Sequence, residues 1–344
     1  MARVVSPSLI NEDRHITRDH WPRTIPVLAL TPAEATKLVA NLPGQPEVAA
    51  VFPLPGGLTN SNYRLLFRDG QSSIEAKLYQ NERNLAPVER AVHRLGATRR
   101  LTMPKLLDGA DDNPATGTPY ALFEWIGGER LDLAIRDRDA ASVKGLAEKV
   151  GAALAAVHAV HFDMYGFFDA DLNVHGPIDL GSAGMRRYFE DVLTQGLGRE
   201  RLGPECSDAL LAFAEREASI LDTWQGPPCL THGDCGGTNI LVTRSGADWT
   251  IAGIIDWEFA FSGTPFFDLG NICRAPLGGL AGFTQSLADG YRAAGGALPD
   301  HWRALAAMTD LLAWVESSFR PHASAEFIQS ARQAIAETIS RWRD

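Results

Sequence analysis

Apolar and polar positions alternate in two different ways along the chain, and this divides it into two parts. In the first part, short apolar runs bounded by turn residues predict β-strands. These runs cover residues 48–53, 63–67, 73–79 and 120–126. Asp69-Gly70 joins the second and third runs and is typical of a tight hairpin turn. Before the strands, the sequence Thr31-Pro32-Ala33-Glu34 is a capping box with proline at the first helical position, and it predicts a helix to about Leu42.

Beyond Leu131 the apolar residues recur every three or four positions, which is the spacing of amphipathic helices. The first such stripe predicts a helix over residues 141–160. Further helices are predicted over residues 185–194, 207–223, 283–294, 301–319 and 323–342. A β-rich part followed by a mainly helical part indicates the α+β class. The expected organisation is an N-terminal extension with a helix at residues 1–45, a small lobe at 46–126 and a helical lobe at 127–344.

Length and composition agree with this organisation. The chain has 344 residues, of which 45% are hydrophobic and 22% charged, as in a globular protein with a sizeable core. No run approaches the roughly 18 apolar residues of a membrane span, and the N-terminus lacks the apolar core of a signal peptide. A formal net charge of −10 argues against a nucleic-acid partner, which favours a basic surface. We expect a cytoplasmic monomer or homodimer with reduced cysteines and no membrane partner.

The segment from His232 to Asp256 has the spacing of a phosphoryl-transfer site. Asp234 follows His232 by two positions, Asn239 comes five positions later, and Asp256 follows two apolar runs. This is the H-x-D-x-x-x-x-N … D layout of a kinase catalytic loop, so all four residues are candidate catalytic residues. In that chemistry one carboxylate, here that of Asp234, orients the acceptor hydroxyl and takes its proton.

The two apolar runs, residues 238–242 and 249–255, are joined by a turn-like segment and predict a hairpin. A hairpin returns the chain on itself, so Asn239 and Asp256 should meet at one end of it. Their amide and carboxylate oxygens are hard ligands of the kind that suit Mg²⁺. A zinc site would need further histidine or cysteine ligands at short spacing, and only Cys235 is nearby. We therefore expect Mg²⁺ at Asn239 and Asp256.

Candidate nucleotide-binding residues lie in the first part of the chain. The turn between its first two strands is small and polar, and the backbone N–H groups of such a turn can bind phosphates. The candidates in this turn are Gly56, Gly57, Ser61 and Asn62. Lys77 lies in a strand similar to the V-A-I-K strand of kinases, whose lysine contacts the α and β phosphates. A glutamate on the next helix holds such a lysine, and Glu89 is the predicted partner, with Glu82 as the alternative.

Several of these segments resemble the aminoglycoside phosphotransferase/choline kinase superfamily. Residues 256–260, Asp-Trp-Glu-Phe-Ala, are similar to the D-(aromatic)-E-(aromatic)-A form of its choline-kinase-like branches, and residues 56–63 are similar to its G-G-(L/M)-(T/S)-N-x-N-Y loop. Residues 267–271, Phe-Asp-Leu-Gly-Asn, resemble the segment that follows in that family. The resemblance covers about residues 48–320. One departure is local: family loops often have His-Pro-Gly shortly after the base, whereas residues 235–238 are Cys-Gly-Gly-Thr.

The resemblance implies a protein-kinase-like two-lobe fold and an enzyme that uses ATP or GTP with Mg²⁺ to phosphorylate a hydroxyl group of a small molecule. It also implies that Asp268 buttresses the catalytic loop. Residues 124–128 resemble the hinge between lobes, where main-chain groups of Glu124 and Ile126 would bind the purine edge. A protein kinase is disfavoured, because the segment after Asp256 lacks the D-F-G glycine and no A-P-E segment follows. A non-catalytic nucleotide-binding module is the alternative outside the enzymes, and the intact catalytic set speaks against it.

The acceptor is expected to be neutral or cationic, since the chain is net acidic and the edge of the catalytic loop offers no positive charge. The candidate substrate residues are Glu258, Arg274, Asp310, Trp314 and Glu316. An aromatic ring with carboxylates suits a cationic alcohol. An aminoglycoside-like or other antibiotic is the first expectation for the acceptor. Choline, thiamine, homoserine or a sugar, each phosphorylated in primary metabolism, is the alternative.

Overall fold

The fold is that of a computed structural model, which describes residues 23, 25–55, 57, 59–70, 72–80, 84–113, 115–136, 138–194, 196–246, 248–319 and 323–342. The predictions made for Gly56 and Glu82 lie outside these residues, as does nearly all of the extension before residue 25. None of the described helices is long and apolar enough to cross a membrane.

An antiparallel sheet of five strands forms the small lobe in the described part of the chain. The strands are β1 (Val48–Pro53), β2 (Ser61–Phe67), β3 (Ser73–Leu78), β4 (Leu106–Ala110) and β5 (Tyr120–Glu124). Their spatial order is β1-β2-β3-β5-β4. Residues alternate between the two faces, so Tyr63 and Leu65 share one face with Ala76 in a core cluster that includes helix α1 (Pro32–Leu38). Lys77 points to the opposite face, where helix α2 (Ala86–Arg99) lies.

Helix α1 begins as the sequence predicts and ends earlier. The Thr31 side chain accepts a hydrogen bond from the Glu34 N–H, and the Glu34 carboxylate accepts one from the Thr31 N–H, which confirms the capping box. The helix ends at Leu38 instead of Leu42. Pro43 explains part of the difference, because the residue before a proline is disfavoured in helical conformation.

The larger lobe is mainly helical. Its helices are α3 (Leu131–Ala134), α4 (Ala140–His158), α5 (Ser182–Leu193), α6 (Leu197–Leu202), α7 (Pro204–Glu217), α8 (Pro265–Ile272), α9 (Phe283–Ala293), α10 (Trp302–Ser318) and α11 (Ala325–Ser340). The helices predicted from periodicity are present, although the one predicted over residues 207–223 is α7 followed by a 3-10 turn at 218–223. Glycines let α4 and α9 approach closely: a Cβ on Gly151 would lie 2.0 Å from the Leu287 carbonyl oxygen.

Two small sheets embedded among these helices carry the candidate catalytic segment. Strands β10 (Ile240–Ser245) and β11 (Asp248–Ile254) form the predicted hairpin, and β6 (Glu129–Arg130) pairs with its outer edge. The second sheet contains β7 (Gly166–Phe168), β8 (Val174–Pro177), β9 (Cys229–Thr231) and β12 (Phe261–Gly263). Residues 232–239 therefore lie between the two sheets, and residues 255–260 return from the hairpin to the second one. A β-rich small lobe and a helical large lobe confirm the predicted α+β, kinase-like class.

Candidate active site

The hairpin brings Asn239 and Asp256 to the same end, as its pattern predicts. Ile240 pairs with Ile254 in the register of β10 and β11. One residue further out, the Ile255 N–H donates to the Asn239 carbonyl oxygen at 2.9 Å. Asp256 then adopts φ +68°, in the left-handed region that aspartate tolerates better than most residues. This turn takes the chain out of the strand at the point where the Asp256 side chain meets the small lobe.

Asp268 fixes the backbone of the catalytic loop. The His232 N–H and the Gly233 N–H donate to its two carboxylate oxygens at 2.8 and 3.0 Å. Asp268 is fully buried in the first turn of α8, and His158 Nε2 of α4 lies 3.1 Å from its Oδ2. A buried carboxylate that accepts several hydrogen bonds holds its partners strongly. His158 was not singled out from the sequence, where it is one more residue in the last turn of a helix.

Asp234 is hydrogen-bonded to two neighbours, Asn239 and His232. Asn239 Nδ2 donates to the Asp234 carbonyl oxygen at 2.8 Å and lies 3.3 Å from its carboxylate. His232 Nδ1 accepts from the Asp234 N–H at 3.2 Å, so its Nε2 carries the proton and donates to the Ile255 carbonyl oxygen at 2.9 Å. The buried His232 ring thus joins the loop to the strand that leads to Asp256. Asp234 itself is only partly buried, as a residue that meets an acceptor must be.

Lys77 joins the two lobes. Its Nζ lies 2.7 Å from Glu89 Oε2 of α2 and 2.6 Å from Asp256 Oδ1, and the lysine is 3% exposed. Burial lowers the pKa of Lys77, but Asp256, Glu258 and Glu89 outweigh it and raise the pKa well above its ordinary value. The lysine is therefore a cation held between the predicted glutamate partner and the aspartate of the catalytic hairpin.

Glu89 is held from three sides. Besides Lys77, the Tyr79 hydroxyl donates to Glu89 Oε2 at 2.6 Å, and the Trp257 N–H donates to Oε1 at 2.9 Å. Both oxygens of this buried carboxylate are thereby engaged. Helix α2 is in this way bonded directly to the backbone that follows Asp256.

Glu258 lies on the small-lobe side of the catalytic hairpin, where its carboxylate contacts the loop before β2, and its expected role in acceptor binding stays a prediction. Asn60 Nδ2 of the turn before β2 donates to Glu258 Oε2 at 2.5 Å, and Lys77 Nζ lies 4.0 Å from it. Burial raises the pKa of Glu258 to about 7, against the opposing effect of Lys77. The turn that begins at Asp256 places the Glu258 side chain under the loop of the small lobe. Asn60 was part of the loop motif but was not assigned a role from the sequence.

A group of carboxylates suited to a divalent cation surrounds the lysine. Glu89, Asp256 and Glu258 each offer an oxygen, and these oxygens lie within 4.8 Å of one another. Such hard ligands fit Mg²⁺. Since both oxygens of Glu89 already accept hydrogen bonds, Asp256 and Glu258 are the carboxylates better placed to accept a metal ion.

The start of β2 directs successive side chains to opposite faces of the sheet. Asn62 pairs with Lys77 in the register of β2 and β3, so both side chains point to the same face. Its Oδ1 is buried and has no hydrogen-bond partner among the described residues. Ser61 points to the opposite face, where its hydroxyl accepts from the Leu28 N–H at 3.0 Å. The Ser61 side chain thus contacts the N-terminal segment, and its expected role in nucleotide binding stays a prediction.

The connection between the lobes runs through residues 124–128. Glu124 ends β5 opposite Ile74 of β3, and its N–H donates to the Lys105 carbonyl oxygen at 2.9 Å. Ile126 contacts the catalytic hairpin: a Cβ on Gly253 would lie 2.8 Å from Ile126 Cδ1. The segment predicted as a hinge thus lies directly against β11.

The sequence profile described as "Phosphotransferase enzyme family" matches residues 51–308, three quarters of the chain. The chain belongs to this family. The match includes the candidate catalytic residues from Lys77 to Asp268, and it confirms the family and the enzyme class predicted from the motifs. No protein in a curated collection gives a significant sequence match.

Solved structures of related fold cover nearly the whole phosphotransferase. A streptomycin–ATP complex of APH(2")-IIa has a TM-score of 0.59 and 14% identity, over 90% of this chain and 97% of that one. Macrolide 2'-phosphotransferase MphH from Brachybacterium faecium has a TM-score of 0.58 and 16% identity, over 88% and 97%. A putative fructosamine-3-kinase from Haemophilus somnus 129PT has a TM-score of 0.58 and 14% identity, over 88% and 96%. At these identities the likeness shows a shared fold.

Three of the predicted substrate residues of the phosphotransferase form one cluster. Arg274 follows α8 and makes an ion pair with Asp310 of α10, with Nη2 2.8 Å from Oδ1 and Nε 3.0 Å from both oxygens. Arg274 Cζ lies 4.1 Å from the centroid of the Trp314 ring, and Trp314 Nε1 donates to Asp310 Oδ2 at 2.9 Å. Glu316 lies two residues beyond Trp314 in α10, a rotation of ~200° around the helix, and its expected role in acceptor binding stays a prediction.

The departure of the catalytic loop from the usual pattern has a packing reason. A Cβ on Gly237 would lie 2.7 Å from Leu277 Cδ1 and 3.1 Å from Asp132 Cβ, so a larger residue would require the Leu277 side chain or Asp132 of α3 to shift. Cys235 is fully buried, and burial raises the pKa of its thiol well above the ordinary value. This cysteine fills space in the core of the phosphotransferase and is not a reactive thiolate.

Proposed function

We propose that this phosphotransferase moves the γ-phosphoryl group of ATP or GTP to a hydroxyl group of a small molecule. The observation that carries the proposal is the position of Lys77, whose ammonium group contacts both Glu89 and Asp256. A lysine held in this way binds the phosphates of the nucleotide, and the aspartate beside it lies where those phosphates arrive.

Asp234 acts on the acceptor in this proposal. Its carboxylate is oriented by Asn239 and remains partly exposed. The acceptor oxygen forms a bond to the γ-phosphorus, the bond from that phosphorus to the β–γ bridging oxygen breaks, and the hydroxyl proton passes to Asp234. Because the transition state of phosphoryl transfer is loose, positioning supplies most of the rate gain.

Asn239, Asp256 and Glu258 would hold Mg²⁺. Their oxygens have the chemistry that this cation prefers, and Asp256 and Glu258 are two of the three clustered carboxylates. When bound, Mg²⁺ neutralises negative charge on the phosphates. Lys77 is the protein's own contribution to the same task, and its raised pKa keeps it charged over the working range of pH.

The acceptor that we propose is a neutral or cationic molecule with a hydroxyl group. The charge of Arg274 is compensated by Asp310, so the cluster beside α8 does not present a net positive surface to an anion. Proteins of this fold are named for aminoglycosides, a macrolide and fructosamine, which favours antibiotics and amino sugars as the first compounds to test.

The decisive experiment measures consumption of ATP and of GTP by the purified protein, with Mg²⁺, against a panel of aminoglycosides, macrolides, choline, thiamine, homoserine and sugars. Phosphorylated product identified by mass spectrometry would support the proposal. Nucleotide binding without turnover on any compound, unchanged in Asp234→Asn, would favour the non-catalytic alternative. Preferred phosphorylation of an anionic acceptor would overturn the proposed acceptor class.

A further inference from the structure

A single arginine from the N-terminal segment binds the loop between β1 and β2. Arg23 Nη1 donates to the carbonyl oxygens of Gly57 and Asn60, both at 2.7 Å. Its Nη2 donates to the Thr59 carbonyl oxygen at 2.9 Å. Three backbone carbonyls within four residues of one loop thus converge on one guanidinium group. Arginine suits this task because its donors form a planar, rigid fork.

The same guanidinium is bonded to the ends of the strands that flank the loop. Nη2 lies 3.3 Å from Ser61 Oγ of β2 and 3.1 Å from Gln80 Oε1, just after β3. Nε donates to the Ile25 carbonyl oxygen within its own segment. All three guanidinium nitrogens of Arg23 therefore donate to groups of the small lobe or of its own segment, and the side chain is half-buried.

The segment that carries Arg23 is itself anchored to the outer face of the sheet. Gln80 Nε2 donates to the Pro26 carbonyl oxygen at 2.8 Å, and the Leu28 N–H donates to Ser61 Oγ at 3.0 Å. The Tyr63 hydroxyl donates to the Leu28 carbonyl oxygen, and Leu30 is buried in the core cluster below α1. Ser61 and Tyr63 point away from the face that carries Lys77. Arg23 therefore contacts the loop from the face of the sheet opposite the one that carries Lys77.

This arrangement has a consequence for the loop's N–H groups. In a planar trans peptide the N–H points opposite to the C=O, so carbonyls turned towards Arg23 direct the N–H groups of the same peptide units away from it. Phosphate binding by a loop needs N–H groups directed into the cleft. The Asn60 side chain bonds to two other segments: its Nδ2 donates to Glu258 Oε2 at 2.5 Å, and its Oδ1 accepts from the Gln80 N–H at 3.0 Å.

We propose that Arg23 is a positioning residue for the phosphates of the nucleotide. It holds Gly57 and residues 59–61 in the conformation that receives them, and it does not touch the nucleotide. Ordering a free loop costs conformational entropy for each residue. Because the contacts of Arg23 already order the loop, nucleotide binding does not have to supply this free energy. The inference rests on the nucleotide-binding function proposed above, and it adds the N-terminal segment to the active site.

The test compares Arg23→Lys and Arg23→Ala with the wild type, and uses Arg68→Ala as the matched control. Arg68 is an exposed arginine of the same lobe, ion-paired with Glu47. For each protein, the dissociation constants of the better nucleotide triphosphate with Mg²⁺ and of the corresponding nucleoside are measured, together with the melting temperature. Lysine keeps the charge but cannot bond three carbonyls in one plane.

We expect Arg23→Lys to weaken binding of the triphosphate by about tenfold, with nucleoside affinity, melting temperature and acceptor KM near those of the wild type. Arg68→Ala should change none of them. Equal triphosphate affinity in Arg23→Lys and the wild type would overturn the inference, as would an equal loss for nucleoside and triphosphate. If Arg23→Ala does not fold, the lysine variant still decides. A wild-type protein that binds neither ATP nor GTP would instead refute the proposed function itself.

Discussion

The ammonium group of Lys77 lies 2.6 Å from the carboxylate of Asp256, although 179 positions separate the two residues in the chain. Lys77 belongs to β3, the central strand of the small-lobe sheet, and Asp256 follows the end of the catalytic hairpin. Their contact, together with that of Glu89 and the Trp257 N–H, joins the two lobes directly. The fold thus brings Lys77, Glu89 and Asp256 together at one point between the lobes.

Asp234→Asn should lose most of the transfer activity and keep nucleotide binding. An amide cannot accept the proton of the acceptor hydroxyl, and general base catalysis typically contributes ~10²–10⁴-fold in rate. The kcat on a good acceptor and the dissociation constant of the nucleotide are to be measured side by side. A near-normal kcat would show that Asp234 is not the base.

Asp256→Ala should weaken nucleotide binding only when Mg²⁺ is present, and should abolish turnover. The measurement is a titration of nucleotide affinity against Mg²⁺ concentration. Asp248→Ala is the matched control, because Asp248 lies in the same hairpin as an exposed partner of Lys149. If the Mg²⁺ dependence were the same in both variants, Asp256 would not be a ligand of the metal.

Glu258 should make folding stability depend on pH. Burial raises its pKa from an ordinary 4.5 to about 7, so between these values the folded state binds a proton that the unfolded state has released. A proton bound by the folded state and not by the unfolded state stabilises the fold. This contribution to the free energy of unfolding is fully present below about pH 4.5 and is lost as the pH rises towards 7. Glu258→Gln should flatten that fall in the free energy of unfolding, measured by urea denaturation in the presence of EDTA. An unchanged pH profile would contradict the expected pKa.

Asp310→Ala should raise the KM for the acceptor and leave the nucleotide dissociation constant unchanged. The variant removes the carboxylate that neutralises Arg274 and that accepts from Trp314, so the cluster beside α8 becomes cationic. Asp208→Ala removes an exposed ion pair with Arg199 and serves as the control. A variant with an altered nucleotide affinity and a normal acceptor KM would place the cluster outside the acceptor site.

The meeting of Asn239 and Asp256 could be predicted because their geometry is local in sequence. Asn239 and Asp256 flank one hairpin, and a hairpin brings its two ends together whatever surrounds it. The helices could be predicted from the spacing of their apolar residues, since a helix that packs on one side must repeat with its own period. In the same way, the apolar run at residues 73–79 predicted that Lys77 lies in a strand, and it lies in β3.

The sequence alone therefore determined the order of elements, the reaction motif and the residues within that motif. Only the tertiary structure decided which face Ser61 points to, on which side of Asp256 the Glu258 side chain lies, and which distant residues support the site. Arg23 acts on a loop 34 positions away, and His158 acts on a carboxylate 110 positions away. No local pattern marks such contacts, because they depend on strand register and on the packing of elements that are remote in the chain.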